Sequence, residues 1–495
     1  MMNLTIKEIA DACGGKLVLQ ESQGVAGKSV CGDSCVTSVV LDSRKVEDGG
    51  VFVATVGERV DGHKFVTDVF AKGVAVVLVQ KTPEQVEAEQ GEPVNWGSYI
   101  LVEDTLQALK SIAEYYRTKL SVKIVGITGS VGKTSTKEFI AGVLAEKFNV
   151  LKTEGNFNNE IGVPLTLLRI RDKHQVAVVE MGISDFGEMH RLSKMVKPDV
   201  CVITNIGQCH LENLKTRDGI LQAKSEIFDF MAEDGEICLN GEDDKLVTLT
   251  EVKGRKPHFF GLGGYDGQEV IATDIVSRGL WGSDAVLVRR KAEHDSVVVE
   301  SRFPVQVPLP GAHMVLNTAA ATCVATLFGL AEAEIAAGIS KIIPVSGRNN
   351  LIRLPKYTLI DDCYNANPAS MKAAIDLLAM ADTEKVAILG DMFELGENAS
   401  ALHAEVGEYA ARAGIERVIC VGEESTHMYE AAKKIFDAVP LKDRPEVLHF
   451  PTRERLLHAL AGRSEELIPN GCTVLIKASH GMKFSEVLEF LQEND

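Results

Sequence analysis

The densest concentration of chemically capable residues in this 495-residue chain is Gly129-Ser130-Val131-Gly132-Lys133-Thr134-Ser135. Two glycines let a backbone curl so that its N–H groups converge on an anion. Lys133 adds a point charge, and the Thr134 hydroxyl can ligate Mg²⁺. The apolar run Lys123 to Thr128 before it reads as a strand, and Ser135 to Glu146 after it as a helix. Strand, loop and helix together predict a P-loop for a nucleoside triphosphate, in preference to a glycine-rich turn with an incidental lysine. The strict G-x-x-x-x-G-K-[ST] pattern wants glycine at 127, where this chain has Ile127, with Gly126 and Gly129 nearby. No N-K-x-D guanine-reading sequence follows, so ATP is favoured over GTP.

Further candidates sit where the next strands end. Val176-Ala177-Val178-Val179-Glu180 is an apolar run closed by a carboxylate, placed to hold Mg²⁺ beside the loop. A capping or surface glutamate is an equal reading of the same pattern. Asp199 to Ile206 reads as a strand, and His210 follows it after Gly207-Gln208-Cys209. A histidine is ordinarily a local hydrogen-bonding residue, but the shared sheet edge with Glu180 raises the metal-ligand reading. Lys224, in Ala223-Lys224-Ser225-Glu226, would by default be a solvated helix lysine.

The elements that must position these groups fall into three α/β segments, since one core rarely serves a chain this long. Residues 1–102 mix short apolar strands (Val51 to Ala54, Val74 to Val79) with turns and read as a small α/β domain. The polar stretch Lys81 to Gly97 is expected to be a boundary zone. Residues 103–343 begin with helical periodicity over Thr105 to Arg117 and continue as a mostly parallel P-loop domain. Within it, Gln268 to Val307 shows a period near two and predicts an antiparallel insertion. Residues 344–495 alternate again, with strands near Thr358, Lys385, Arg417 and Thr473, and predict a doubly wound, Rossmann-like domain.

Composition is that of a globular protein: 45% hydrophobic, 25% charged, net charge -18. That charge argues against a general nucleic-acid binder. The ten cysteines show no zinc spacing and are expected to be reduced. The start, Met1-Met2-Asn3-Leu4, has no leader pattern, and Val315 to Leu330 reads as a buried helix, so no membrane insertion is expected and the chain is taken as cytoplasmic and monomeric.

Several longer motifs resemble the ATP-dependent Mur ligases of bacterial cell-wall synthesis, over nearly the whole chain. Asp42-Ser43-Arg44-Lys45-Val46 with Gly57 to Phe65 resembles their UDP-sugar-binding domain. Thr153 to Leu165, containing Asn158 and Asn159, is similar to the stretch lining the γ-phosphate and acyl site. Ile203 to His210 and Ala223 to Phe228 match the family pattern, as do Gly347-Arg348, Asn317, Asp361-Asp362-Cys363-Tyr364-Asn365-Ala366-Asn367-Pro368 and Leu389-Gly390-Asp391-Met392 with Glu394-Leu395-Gly396. The resemblance implies an ATP-dependent peptide ligase that joins D-alanyl-D-alanine to a UDP-N-acetylmuramoyl tripeptide. It implies Thr134, Glu180, His210 and a carbamylated Lys224 as ligands of two Mg²⁺ ions, and Lys133 and Arg348 on the γ-phosphate. It places Asn317, Asp362 and Asn365 on the nucleoside, and Ser43, Arg44, Asn158, Asn159, Asp391 and Ser479 on the substrates. The chain departs from the family at Met314, where asparagine is usual, and at His480, where arginine is usual; histidine lacks arginine's permanent charge and bidentate grip. Two other readings stay open at this point. One is another amino-acid ligase of this kind or a folylpolyglutamate-like ligase, against which Asp42-Ser43-Arg44 argues. The other is a P-loop ATPase acting as a binding module.

Overall fold

The computed structural model describes residues 2–20, 30–57, 60–293, 296–344, 347 and 350–494. Three sheets organise them. In the first, the strands run in the order Lys16–Val18, Tyr99–Leu101, Val76–Val79, Val51–Val53, Val39–Val40, parallel except for the first. The stretch expected as a boundary belongs to this unit. Thr82 and Gln85 form a reciprocal capping box, Pro83 opens the helix Pro83–Gln90, and Gly91 closes it in the left-handed region. Polar composition there reflects a solvated helix face with well-made ends, not a linker.

The helix Thr105–Thr118, capped by Asp104, joins the first unit to the second. It buries Ala108, Leu109, Ile112, Ala113 and Tyr116 between the N-terminal helix Ile6–Cys13 and the helices Gly162–Leu167 and Glu188–Val196. Tyr116 Oη donates to Ile170 O at 2.7 Å, and Lys119 Nζ to Glu8 at 2.7 Å. One hydrophobic cluster therefore spans both units, with members from Met2 to Phe259.

The second sheet has nine strands. Lys123–Thr128 lies between Val176–Glu180 and Val200–Ile203, all parallel and apolar apart from Lys123, Thr128 and Glu180 at their ends, as strands covered on both faces must be. The expected antiparallel region is present as Gln268–Ser277, Ser283–Glu293 and Ser296–Val307. It is not a separate insertion: Gln268–Ser277 pairs in parallel with His258–Gly261 and so prolongs the central sheet. The helices Lys133–Leu144 and Ala312–Leu327 pack on one face of this sheet.

The third sheet runs Asn350–Arg353, Thr358–Asp361, Thr473–Lys477, Lys385–Gly390, Arg417–Val421, Glu446–Phe450. All but the first strand are parallel, with apolar clusters on both faces, as a doubly wound domain requires. The two edge strands were not legible as strands. The turn Arg278–Gly282 of the central sheet reaches across to this domain: Leu280 is buried in its hydrophobic cluster, and the Arg353 guanidinium lies 3.7 Å over the Trp281 ring. Among the described residues no helix is long and apolar enough to cross a membrane, and the cysteines are free thiols.

Candidate active site

The strand Lys123–Thr128 ends at the glycine loop, and the helix after it starts at Lys133, two residues earlier than expected. Gly132 sits at φ 79° as the residue before the helix, a conformation glycine adopts without strain. A side chain at Gly129 would collide with the Thr204 hydroxyl. The neighbouring strand ends at Ile203, because Thr204 to Gly207 are drawn off to brace the loop. Ser130 N donates to Asn205 O at 3.0 Å, Val131 N to Asn205 Oδ1 at 2.9 Å and Gly207 N to Ser130 Oγ at 2.9 Å. Thr204 Oγ1 donates to Val131 O at 2.7 Å. Lys133 Nζ reaches back over the loop to Gly129 O at 2.7 Å.

Glu180 is fully buried at the end of its strand. Its Oε2 accepts from Thr134 Oγ1 at 2.8 Å and its Oε1 from Asn158 Nδ2 at 2.8 Å. Lys137 Nζ lies 3.8 Å from Oε2. The capping or surface reading of Glu180 is thereby excluded.

His210 has φ 50° and its Nδ1 lies 2.9 Å from Glu394 Oε2 of the C-terminal domain. Burial holds its imidazole below the ordinary range despite the facing carboxylate, with Lys224 and Lys133 adding to the effect. Lys224 is not solvated: it is 1% exposed and has no ion-pair partner among the described residues. Burial, with Lys133 repulsion, pushes its amine down to about 8.

The loop, Glu180 and His210 open on a cavity of about 740 Å³ between the central and C-terminal domains, while Thr134 and Lys224 are buried and do not line it. Ser130, Val131, Gly132, Lys133, Ser135, Asn158, Asn159, Glu180, His210 and Asn317 line it from one side, and Asp362 and Asn365 from the other. Thr136 Oγ1 donates to Asn317 Oδ1 at 2.8 Å, and Asn317 Nδ2 to Met314 Sδ at 3.6 Å, so the residue that departs from the family still engages this amide. Lys477 Nζ binds Asp362 Oδ2 at 2.5 Å and Asn365 O at 3.0 Å. Burial, with Lys477 repulsion behind it, lowers His313 to about 4, so it faces the cavity as a neutral ring.

Other expected residues lie elsewhere. Arg44 makes an exposed bidentate pair with Asp42, and the Ser43 carbonyl accepts from Lys72, both on the first domain. Asp391 turns its carboxylate to Ser425 N at 2.7 Å and Ser425 Oγ at 2.5 Å, opening the helix Ser425–Phe436. Ser479 Oγ accepts from Phe393 N at 2.9 Å. Neither Asp391 nor Ser479 lines the cavity. Arg348 lies outside the described residues; its neighbour Gly347 lines the cavity. Sequence reasoning missed Lys137 and Lys477, and included Asn205 and Glu394 in family motifs without giving them a role. Lys137 follows Lys133 by four and Thr134 by three, a helical spacing that puts it on their face.

Among the described residues no three His, Cys, Asp or Glu side chains converge as a metal cluster. Mg²⁺ characteristically takes one or two protein oxygens and completes its shell with phosphates and water. The preset oxygen pair of Thr134 and Glu180 fits that habit.

A family model described as Mur ligase middle domain matches residues 127–325. The glutamate ligase domain of Mur ligases matches 347–480, and the Mur ligase family catalytic domain 36–117. The UDP-N-acetylmuramoyl-tripeptide–D-alanyl-D-alanine ligase of Bacillus subtilis is 35% identical over 100% of this chain and 99% of its own length. That of Escherichia coli is 32% identical, again over 100% and 99%. A crystal structure of MurF from Acinetobacter baumannii superposes with a TM-score of 0.81 at 30% identity, covering 99% of both chains. Sequence, fold and the residues facing the cavity agree: the chain belongs to the Mur ligase family, in its MurF branch.

Proposed function

We propose that the chain is an ATP-dependent ligase that joins D-alanyl-D-alanine to the UDP-N-acetylmuramoyl tripeptide through an acyl phosphate. The observation that carries this reading is the cavity itself, where a braced glycine loop with Lys133, the buried carboxylate of Glu180 and His210 from one domain face a second domain. Segments 1–102, 103–343 and 344–495 would hold the UDP-sugar, the nucleotide and the incoming dipeptide respectively.

Loop N–H groups and Lys133 would take the β- and γ-phosphates, with Arg348 on the γ-phosphate and Asn317, Asp362 and Asn365 on the nucleoside side. Thr134, Glu180 and His210 would hold Mg²⁺, which when bound offsets charge on the converging anions. The tripeptide's terminal carboxylate oxygen attacks the γ-phosphorus and ADP leaves. The dipeptide amine then attacks the acyl carbon, loses a proton and expels phosphate. Asn158 and Asn159 would orient the carboxylate; alignment and charge stabilisation, not a side-chain nucleophile, supply the acceleration. An amine lowered to about 8 is partly neutral at cellular pH. It can add CO₂ and release a proton, so that Lys224 becomes an anionic carbamate beside the metal ligands.

Phosphate release measured against a panel of acceptors tests the reading. Release that depends strictly on ATP, the UDP-muramyl tripeptide and D-alanyl-D-alanine together is expected. Hydrolysis indifferent to the peptide and the amine would mean an ATPase binding module instead.

A further inference from the structure

The reaction above leaves Lys137 without a role, although it is one of the largest fully buried side chains in the protein, 1% exposed. It does not line the cavity. Its Nζ donates to Thr153 O at 2.8 Å and lies 3.1 Å from Glu138 Oε1 and 3.8 Å from Glu180 Oε2. Glu138 in turn pairs with Lys152, which is half-exposed. A file of alternating charge, Lys152, Glu138, Lys137, Glu180, thus leads from solvent to the carboxylate behind the glycine loop. Two cations and two anions cancel along it.

Glu180 ends a strand whose other residues are apolar and buried. A carboxylate in such a place must be compensated. Thr134 and Asn158 give it neutral hydrogen bonds, and Lys137 is the cation within 4.0 Å among the described residues. An ammonium this close also repels any second cation approaching the same oxygens, and burial leaves that repulsion poorly screened.

We propose that Lys137 is a positioning residue that holds the place of the divalent cation, counterbalancing Glu180 in the nucleotide-free protein so that the metal is admitted with the phosphates and not before them. Four phosphate charges then outweigh the one repelling ammonium. Meanwhile Thr153 O and Glu138 retain Lys137, which therefore does not follow the metal into the cavity. The inference rests on the reading of Glu180 as a metal-holding residue.

The test is a titration of the full-length, nucleotide-free protein with Mn²⁺, following free Mn²⁺ by electron paramagnetic resonance. Lys137→Met should bind Mn²⁺ at least about tenfold more tightly than wild type, which is about 1.4 kcal/mol. Glu138→Gln, which leaves the lysine less neutralised, should bind it more weakly. Opposite shifts are diagnostic, because general loosening of the fold would move both variants the same way. With a non-hydrolysable ATP analogue bound, Lys137→Met and wild type should agree within about threefold. Unchanged or weaker Mn²⁺ binding by Lys137→Met would overturn the proposal, as would a difference that persists with the analogue. Adding Glu180→Gln to Lys137→Met should abolish the gain; if the gain survives, the metal is bound elsewhere and the reading of Glu180 fails as well. Should Lys137→Met not fold, Glu138→Gln decides alone: weaker binding supports the role, unchanged or tighter binding overturns it.

Discussion

The two domains that flank the cavity are wired differently. On the central side, the glycine loop, Asn205, Thr204, Thr134, Asn158 and Glu180 are tied to one another by hydrogen bonds of 2.7–3.0 Å within one domain. On the C-terminal side, Lys477, Asp362 and Asn365 form their own small network. Among the described residues it meets the central domain at an apolar peg, Leu280 with Trp281, and at a polar contact, His210 to Glu394. Apolar burial has no directional preference, so the peg tolerates rotation, whereas the histidine–carboxylate contact is made over a narrow range of angles. On the proposed function, phosphate recognition would thus be prebuilt, and acceptor-side chemistry would depend on where the third domain sits.

The largest effect should come from the prebuilt side. Lys133→Ala removes the ammonium that spans the loop and should lower turnover by on the order of a thousandfold or more, measured as acceptor-dependent phosphate release. Near-normal activity would remove the loop from the chemistry and erase the contrast between the domains. A smaller and more selective effect is expected at the peg. Truncation of a buried leucine costs about 2–5 kcal/mol, and here that cost falls on an inter-domain contact. Leu280→Ala should reduce the ligation rate by about tenfold while nucleotide affinity, measured by calorimetry, changes by less than about threefold. Equal losses in both would mean that the loop also depends on domain placement.

The smallest effect lies far along the central sheet. His258 Nδ1 lies 2.6 Å from Glu269 and Nε2 3.2 Å from Glu236, on the two flanking strands. The bond to Glu269 is the main cause that raises this histidine to about 9 from its ordinary 6.5. A raised folded-state value means stability that is complete below about pH 6.5 and lost as pH rises through about 9. The melting-temperature gap between wild type and His258→Gln should therefore be widest in mild acid and close in alkali, with substrate KM values unchanged. A gap independent of pH would show that the clamp is not ionic.

Much of the central domain was legible because its signals are local. A run of buried apolar residues, two glycines and a Lys-Thr pair specify strand, turn and helix within about twenty residues. The C-terminal alternation was legible for the same reason, apart from its edge strands. Glu446–Phe450 is only partly buried, and so lacks a continuous apolar run. The helix Pro83–Gln90 was hidden by its polar surface, though Thr82-Pro83 and Gln85 announced its start. At the site, Glu180 could not be told from a surface glutamate, because its environment comes from Thr134, 46 residues away, and from Asn158. The desolvation of Lys224 and the approach of Glu394 to His210 are likewise products of tertiary packing, which no short window of sequence contains.

The shared cluster, with members from Met2 to Phe259, has a bearing on peptide length. Because the helix Thr105–Thr118 packs the first unit against the second, a substrate held as proposed, by its sugar end in one and with its far carboxylate presented to the other, would be laid along a fixed gauge. A stem one residue too short would stop short of the glycine loop, and one too long would overshoot it. Selection for three residues would then be a matter of distance between two anchored jaws, independent of any pocket that inspects each side chain.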